Sequence, residues 1–300
     1  MATLAIDLLG KRLRNPVFNA SGTLGYGREI EPLWPIDTLG AYVTKGLSLK
    51  PHHGNPPPRI WEEGTGILNS IGLQNIGLER FFDECFPFFK KRKTPIIVNF
   101  FGFTDEEYIR CAEAIRPDPL IIALEINLSC PNVKKGGICM GKEAQGVFSI
   151  IKAVKAVTKI PLIAKLTPEV TDIVQIASAA VEAGVDGLTL LNTMPGAAIE
   201  VKSRRLAFRG GFSGPALKPI ALKAVTDVSR AVSVPVIGSG GIMSCVDALE
   251  FLMAGARAVQ VGTATFVDPY AIPAIIEGLK AYLTTHRLPR TEALVGLARG

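Results

Sequence analysis

A (β/α)8 barrel of the TIM type is the fold this sequence predicts, and three observations predict it. Eight short runs rich in Val, Ile and Leu recur along the 300 residues, each ending abruptly in polar residues or glycine. Segments with helical spacing of apolar residues lie between most of them. The length suits a barrel of ordinary size, and 48% of the chain is hydrophobic, enough for a large core. The expectation is a single domain over residues 1–300.

The strand candidates follow in order. "PVFNASG" (16–22) and "AYVTKG" (41–46) are the first two, and "PIIVNFFG" (95–102) and "ALEINLSC" (123–130) the third and fourth. "PLIAKLTP" (161–168), "GLTLLNT" (187–193), "VPVIGSGG" (234–241) and "AVQVGTA" (258–264) complete the set. Helices are expected over 105–116, 146–158, 171–184, 218–232 and 244–255, where apolar residues stand three and four apart. Thr171 and Ser244 sit where N-caps would, and Gly184 and Gly255 where helices end. An open doubly wound sheet is the runner-up. It would want a G-x-G-x-x-G turn after an early strand, and "GYGREI" lacks the third glycine and the acidic partner. Two long segments, 47–75 and 193–219, interrupt the alternation and read as irregular insertions. Such insertions in a compact domain are usually functional.

Composition removes several classes of function. The formal net charge is +6, but the basic residues are spread out. The nearest run, "KKRK" at 90–93, reads as a solvated helix end, so no nucleic-acid partner is expected. No uninterrupted apolar stretch is long enough for a membrane span. The N-terminal "MATLAIDLLGKRLRNP" lacks the features of a signal peptide, so the expected location is the cytoplasm. Five cysteines, Cys85, Cys111, Cys130, Cys139 and Cys245, are scattered and never spaced C-x-x-C. No disulfide framework, zinc site or iron–sulfur site is expected on this chain.

In a barrel the site lies at the C-terminal ends of the strands. Those ends read Asn19–Ser21, Thr44–Lys45–Gly46, Asn99, Asn127 with Cys130, Lys165, Asn192–Thr193, Ser239–Gly240–Gly241 and Gly262–Thr263. Eight ends turning polar at one level point to a site rather than to turn chemistry. The glycine-rich seventh and eighth ends suit a phosphate approached by bare backbone N–H groups, although glycines there also permit tight turns. A phosphate at one edge, with amides and lysines in the middle, suggests flavin mononucleotide (FMN). Asn99, Asn127 and Lys165 would reach the polar edge of its ring. For Lys165 alone the alternative is a buried salt bridge with an acidic neighbour. Cys130 leaves a strand end ahead of Pro131 and a glycine-rich loop, so it is a candidate base for a proton next to a carbonyl. The other four cysteines read as inert. The three histidines, His52, His53 and His286, lie away from the strand ends, so no Cys–His pair is suggested.

Taken together, "NPVFNASGT", "TKG", "NSIGLQN", "INLSCPNV" followed by "KKGG", "LLNT", "GGFSGPALKP", "GSGGI" and "VGTATF" resemble dihydroorotate dehydrogenase over residues 3–285. The resemblance implies an FMN-dependent oxidation of dihydroorotate to orotate in pyrimidine biosynthesis. Cys130 in the base position places the chain with class 1, and "VKKGG" is similar to the NAD-linked class 1B catalytic subunits. Carried over by position, the resemblance assigns FMN contacts to Ser21, Lys45, Gly46, Asn99, Asn127, Lys165, Leu191, Gly214, Gly240, Gly241, Gly262 and Thr263. It assigns substrate contacts to Lys45, Asn69, Ser70, Ile71, Gly72, Leu73, Asn127, Asn192 and Thr193, so that the insertions roof the substrate. It further implies a partner subunit carrying FAD and a 2Fe-2S cluster, and a heterotetramer built on a catalytic homodimer. A domain of the dihydropyrimidine dehydrogenase type, acting on uracil or thymine, is the near rival. A non-enzymatic phosphate-binding barrel is the distant one.

Overall fold

The computed structural model describes residues 2–128 and 141–299, with the backbone of Lys134–Lys135 and Ile138–Cys139 between them. The eight expected runs are strands: β1 (Val17–Asn19), β2 (Tyr42–Val43), β3 (Ile96–Phe100), β4 (Ile121–Asn127), β5 (Leu162–Leu166), β6 (Gly187–Leu190), β7 (Val236–Ser239) and β8 (Ala258–Val261). They form one sheet in the order β1-β8-β7-β6-β5-β4-β3-β2, with every laddered pair parallel. Strand four starts two residues before the run read from the sequence. A register shift between Ile96 and Ile97 accompanies it, with Ile96 opposite Ile121 and Ile97 opposite Ala123.

The ladder does not continue between β1 and β2. The gap is bridged by the Asn19 side chain, which is fully buried. Its Nδ2 donates to Val43 O at 2.8 Å, and its Oδ1 accepts from Val43 N at 2.9 Å. One carboxamide thus satisfies both backbone groups of Val43, as a neighbouring strand would. Asn19, one of the polar strand-end residues, closes the barrel.

Helices α1 (Phe86–Arg92), α2 (Asp105–Ala114), α3 (Ala144–Val157), α4 (Ile173–Glu182), α5 (Lys218–Ala231), α6 (Cys245–Ala254) and α7 (Ala271–Thr285) form the outer ring. Successive members from α2 to α7 pack on one another. "KKRK" is the exposed end of α1, as expected, with Lys93 in the left-handed region at φ 56°. Ser244 caps α6 in a reciprocal capping box with Asp247. The cap of α4 is a correction: Asp172, not Thr171, accepts from the N–H groups of Val174 and Gln175. A carboxylate one residue later serves the same orphan donors and favours the positive end of the helix.

Period two sorts each strand into two cores. Outward residues such as Leu124, Ile126, Leu162 and Ala164 join the large cluster beneath the helices. Inward residues Phe18, Val43, Ile97, Ala123, Ile163, Ile237 and Ala258 form a separate cluster inside the barrel. A hairpin of Ile6–Leu8 and Lys11–Leu13 buries Ile6, Leu8 and Leu13 against that inner cluster and plugs the N-terminal end. Leu9 and Gly10 make its two-residue turn at φ 50° and 75°, as the twist of a tight hairpin demands.

The two insertions are not irregular. Ile60–Glu63, Gly66–Asn69, Met194–Glu200 and Arg205–Ser213 make one four-stranded antiparallel sheet that draws on both. Leu68, Ala198 and Phe208 give this roof a small core of its own, with Trp61 and Phe212 against it. No helix among the described residues is long and apolar enough to cross a membrane.

Candidate active site

The inward face of the strands turns polar in two layers above the apolar plug. The lower layer holds Asn99 on β3, Glu125 on β4, Thr189 on β6 and Gln260 on β8. The register places Asn99 opposite Glu125 and Gln260 opposite Ser239. The Glu125 carboxylate is fully buried and accepts from Asn99 Nδ2 at 2.6 Å, Thr189 Oγ1 at 2.7 Å and Gln260 Nε2 at 2.7 Å. The upper layer begins with Asn127 and Lys165, paired across β4 and β5. Lys165 Nζ stands 3.9 Å from Glu125 Oε1 and donates to Gln260 Oε1 at 3.3 Å. The buried salt bridge weighed for Lys165 is therefore present, and it coexists with a place at the mouth.

Sequence reasoning missed Glu125, Thr189 and Gln260. A signal was available. A carboxylate in "ALEIN" and an amide in "AVQV" interrupt apolar strands, and Glu125 shares the parity of Asn127.

Asn192 donates from Nδ2 to Asn127 Oδ1 at 3.2 Å, so the ends of β4 and β6 meet. Its own Oδ1 accepts from Thr193 N at 2.8 Å. Leu191 is buried and donates from its backbone N to Ser239 O at 2.7 Å. The roof reaches this group at several points. Asn69 Nδ2 donates to Gly211 O at 3.0 Å, and a Cβ on Gly211 would stand 2.2 Å from Thr193 Oγ1. Thr263 Oγ1, past the end of β8, donates to Ser213 Oγ at 2.8 Å. Gly214 lies against Gly66, where a Cβ would stand 2.6 Å from its Cα. Ser70, Ile71, Gly72 and Leu73 follow the strand Gly66–Asn69, half-buried, with Gly72 and Leu73 at φ 67° and 59°. Asn75 anchors this loop by donating to Ser48 Oγ at 2.8 Å and Leu73 O at 3.0 Å. Ser21 is half-buried in the turn after β1.

Lys45 follows β2 and is half-buried. Burial holds its ammonium below the usual lysine range, and the neighbouring Arg59 guanidinium lowers it further. An anion near Lys45 would relieve both effects. At the seventh strand end, Gly240 and Gly241 adopt φ 123° and 75°. Cβ atoms there would stand 2.8 Å from Ala221 Cβ and 2.6 Å from Lys218 N. Both glycines are required by backbone conformation and by contact with α5, whatever binds beside them. Gly262 packs beside Ala20, where a Cβ would approach to 3.2 Å.

Cys130 lies outside the described residues, as do the side chains of the loop that follows it. Cys85 and Cys111 are buried, and burial pushes the Cys111 thiol up to about 12. Cys245 is partly exposed and also raised by burial. Burial thus disfavours the thiolate form of these cysteines. Among the described residues no group of three or more His, Cys, Asp or Glu side chains could hold a metal ion.

The donor set fits a flavin in one specific respect. Asn99 Oδ1 is buried and has no hydrogen-bond partner, and a Cβ on Gly46 would stand 3.0 Å from it. An unpaired acceptor beside a residue lacking a side chain suits a planar ring bearing an N–H group.

Comparison with known proteins identifies the family. The family model described as dihydroorotate dehydrogenase matches residues 3–283. The chain is 52% identical over 296 residues to a Pelobacter propionicus protein named dihydroorotate dehydrogenase B (NAD(+)), catalytic subunit, covering 98% of this chain and 97% of the relative. Proteins of the same name from Geobacter metallireducens and Desulforamulus reducens are 51% and 49% identical, each over 98% of this chain and over 97% and 98% of their own lengths. The chain belongs to the dihydroorotate dehydrogenase family.

Proposed function

We propose that this chain oxidises dihydroorotate to orotate, a step of pyrimidine biosynthesis, with FMN held across the C-terminal mouth of the barrel. The observation that carries the reading is the convergence of Asn99, Asn127, Lys165 and Asn192 on one mouth beneath a roof. FMN, when bound, supplies the acceptor for the substrate's hydride. Lys45 pairs with the substrate carboxylate. Asn69 through Leu73, Asn127, Asn192 and Thr193 hold the ring amides and keep the ring in one orientation. Orientation of this kind can be worth about 7–11 kcal/mol. Cys130 takes the proton from carbon 5. The roof sheet excludes water from the reacting carbons. Ser21, Gly46, Leu191, Gly214, Gly240, Gly241, Gly262 and Thr263 complete the FMN cradle, with the phosphate at the seventh and eighth strand ends.

Relatives named as NAD-linked catalytic subunits support a second chain as the electron exit. We assign FAD and a 2Fe-2S cluster to that partner, and a homodimeric core to a cytoplasmic heterotetramer. The catalytic unit is a single domain in this reading. The test is a visible spectrum before and after anaerobic dihydroorotate. A yellow protein that bleaches supports the reading, and a colourless protein that cannot be reconstituted with FMN overturns it. A yellow protein bleached by dihydrouracil but not by dihydroorotate would move the substrate to the uncarboxylated pyrimidines.

A further inference from the structure

Glu125 has no part in the function proposed above, yet the polar interior of the barrel is arranged around it. Donors from β3, β6 and β8 converge on its carboxylate, and the ammonium on β5 stands beside it. All five residues are 5% exposed or less.

Stability alone does not account for such a cluster. Barrel interiors are ordinarily filled by branched apolar residues. Replacing a buried ion pair with well-packed apolar side chains is often neutral or stabilising. The chemistry of a carboxylate says more. It accepts hydrogen bonds and donates none, whereas a carboxamide donates at one end and accepts at the other. By taking Nδ2 of Asn99, Glu125 turns Oδ1 of that amide the other way, where it is buried without a partner beside Gly46. By taking Nε2 of Gln260, it turns Oε1 of that amide to Lys165. Its negative charge also lies below the Lys165 ammonium.

We infer that Glu125 is a positioning residue: it fixes the acceptor end of Asn99 toward the bound ring and offsets the charge that Lys165 presents to it. The inference rests on the proposal that FMN occupies this mouth. The ring group it selects at Asn99 is an N–H donor, such as an imide. The charge it sets beside the ring tunes how strongly the anionic reduced form is favoured.

The experiment compares wild type, Glu125→Gln and Thr189→Val, each loaded with FMN. FMN dissociation is followed by flavin fluorescence, and the midpoint potential by equilibrium titration with a reference dye. Glu125→Gln keeps the shape and removes the charge. Its potential should move positive by a factor of at least ten in the two-electron equilibrium, about 30 mV. Its FMN affinity should fall at least tenfold, because a neutral amide no longer dictates the direction of Asn99. Thr189→Val keeps the charge and withdraws one donor, so its potential should move negative. Shifts of opposite sign are the signature. A merely structural Glu125 would lower the melting temperature of both variants and leave both potentials at the wild-type value, which overturns the inference. If Glu125→Gln does not fold, Thr189→Val decides alone: a negative shift supports the inference and an unchanged potential overturns it. A wild-type chain that takes up no FMN ends the functional proposal and this inference together. One that binds FMN while the variants leave the potential unmoved ends only the latter.

Discussion

At the scale of single residues, the site depends on which groups are held charged and which are held waiting. Lys45 is disfavoured as an ammonium by burial and by Arg59. It therefore loses its proton at a pH below the ordinary 10.5. An anionic ligand favours the protonated form, so the sign follows. Orotate affinity should fall as pH rises through the lowered Lys45 value, and binding there should take up protons. A spectral titration of orotate across alkaline pH checks this. Lys45→Met should remove the pH dependence and weaken binding roughly tenfold to a hundredfold, the worth of a hydrogen bond to a charged group. Cys130 is tested by the half-reaction. Cys130→Ala should bind FMN normally and reduce it with dihydroorotate about 10²–10⁴-fold more slowly, the usual contribution of a positioned base. An unchanged rate would remove Cys130 from the chemistry.

At the scale of elements, a barrel seam and a roof carry consequences that no single motif announces. The seam between β1 and β2 hangs on the Asn19 carboxamide. Asn19→Leu strands the N–H and C=O of Val43 in the interior. Buried orphans of this kind cost about 1–3 kcal/mol each, so thermal unfolding should show a loss of roughly 2–6 kcal/mol. The roof meets the strand ends where Gly211 faces Thr193. Gly211→Ala should push the strand Arg205–Ser213 away from Thr193. The Michaelis constant for dihydroorotate should then rise while FMN content stays at the wild-type level. A loss of FMN instead would assign Gly211 to the cofactor cradle. The roof was hard to read in advance because "MPGAAIE" and "RLAFRGGFS" carry proline and glycines that argue against strands. Their pairing comes from each other and from Gly66–Asn69, more than a hundred residues earlier in the chain.

At the scale of the whole molecule, the arrangement is a plugged barrel with one open, roofed end. A plug of Ile6, Leu8 and Leu13 fills the N-terminal end, so the polar layers open toward the C-terminal face. On the proposed function, electrons delivered at that face need somewhere to go. The purified chain should bleach once with dihydroorotate and then form no NADH on addition of NAD. Steady NADH production should appear only with an added electron-transfer subunit. NADH formation by the chain alone would show that it needs no partner.

The strands, the helices and most of the strand-end residues were legible in the sequence, because alternation, helical spacing and capping act over a few neighbouring residues. Asn99, Asn127, Lys165 and Asn192 could be selected one by one on that basis. What the tertiary structure alone decided is which of these polar groups meet and which way they point. The Glu125 cluster joins β3, β4, β5, β6 and β8, and the Asn19 seam joins β1 to β2. Both depend on strand register around a closed barrel. Register is set by the packing of the whole ring, and no local stretch of sequence contains it.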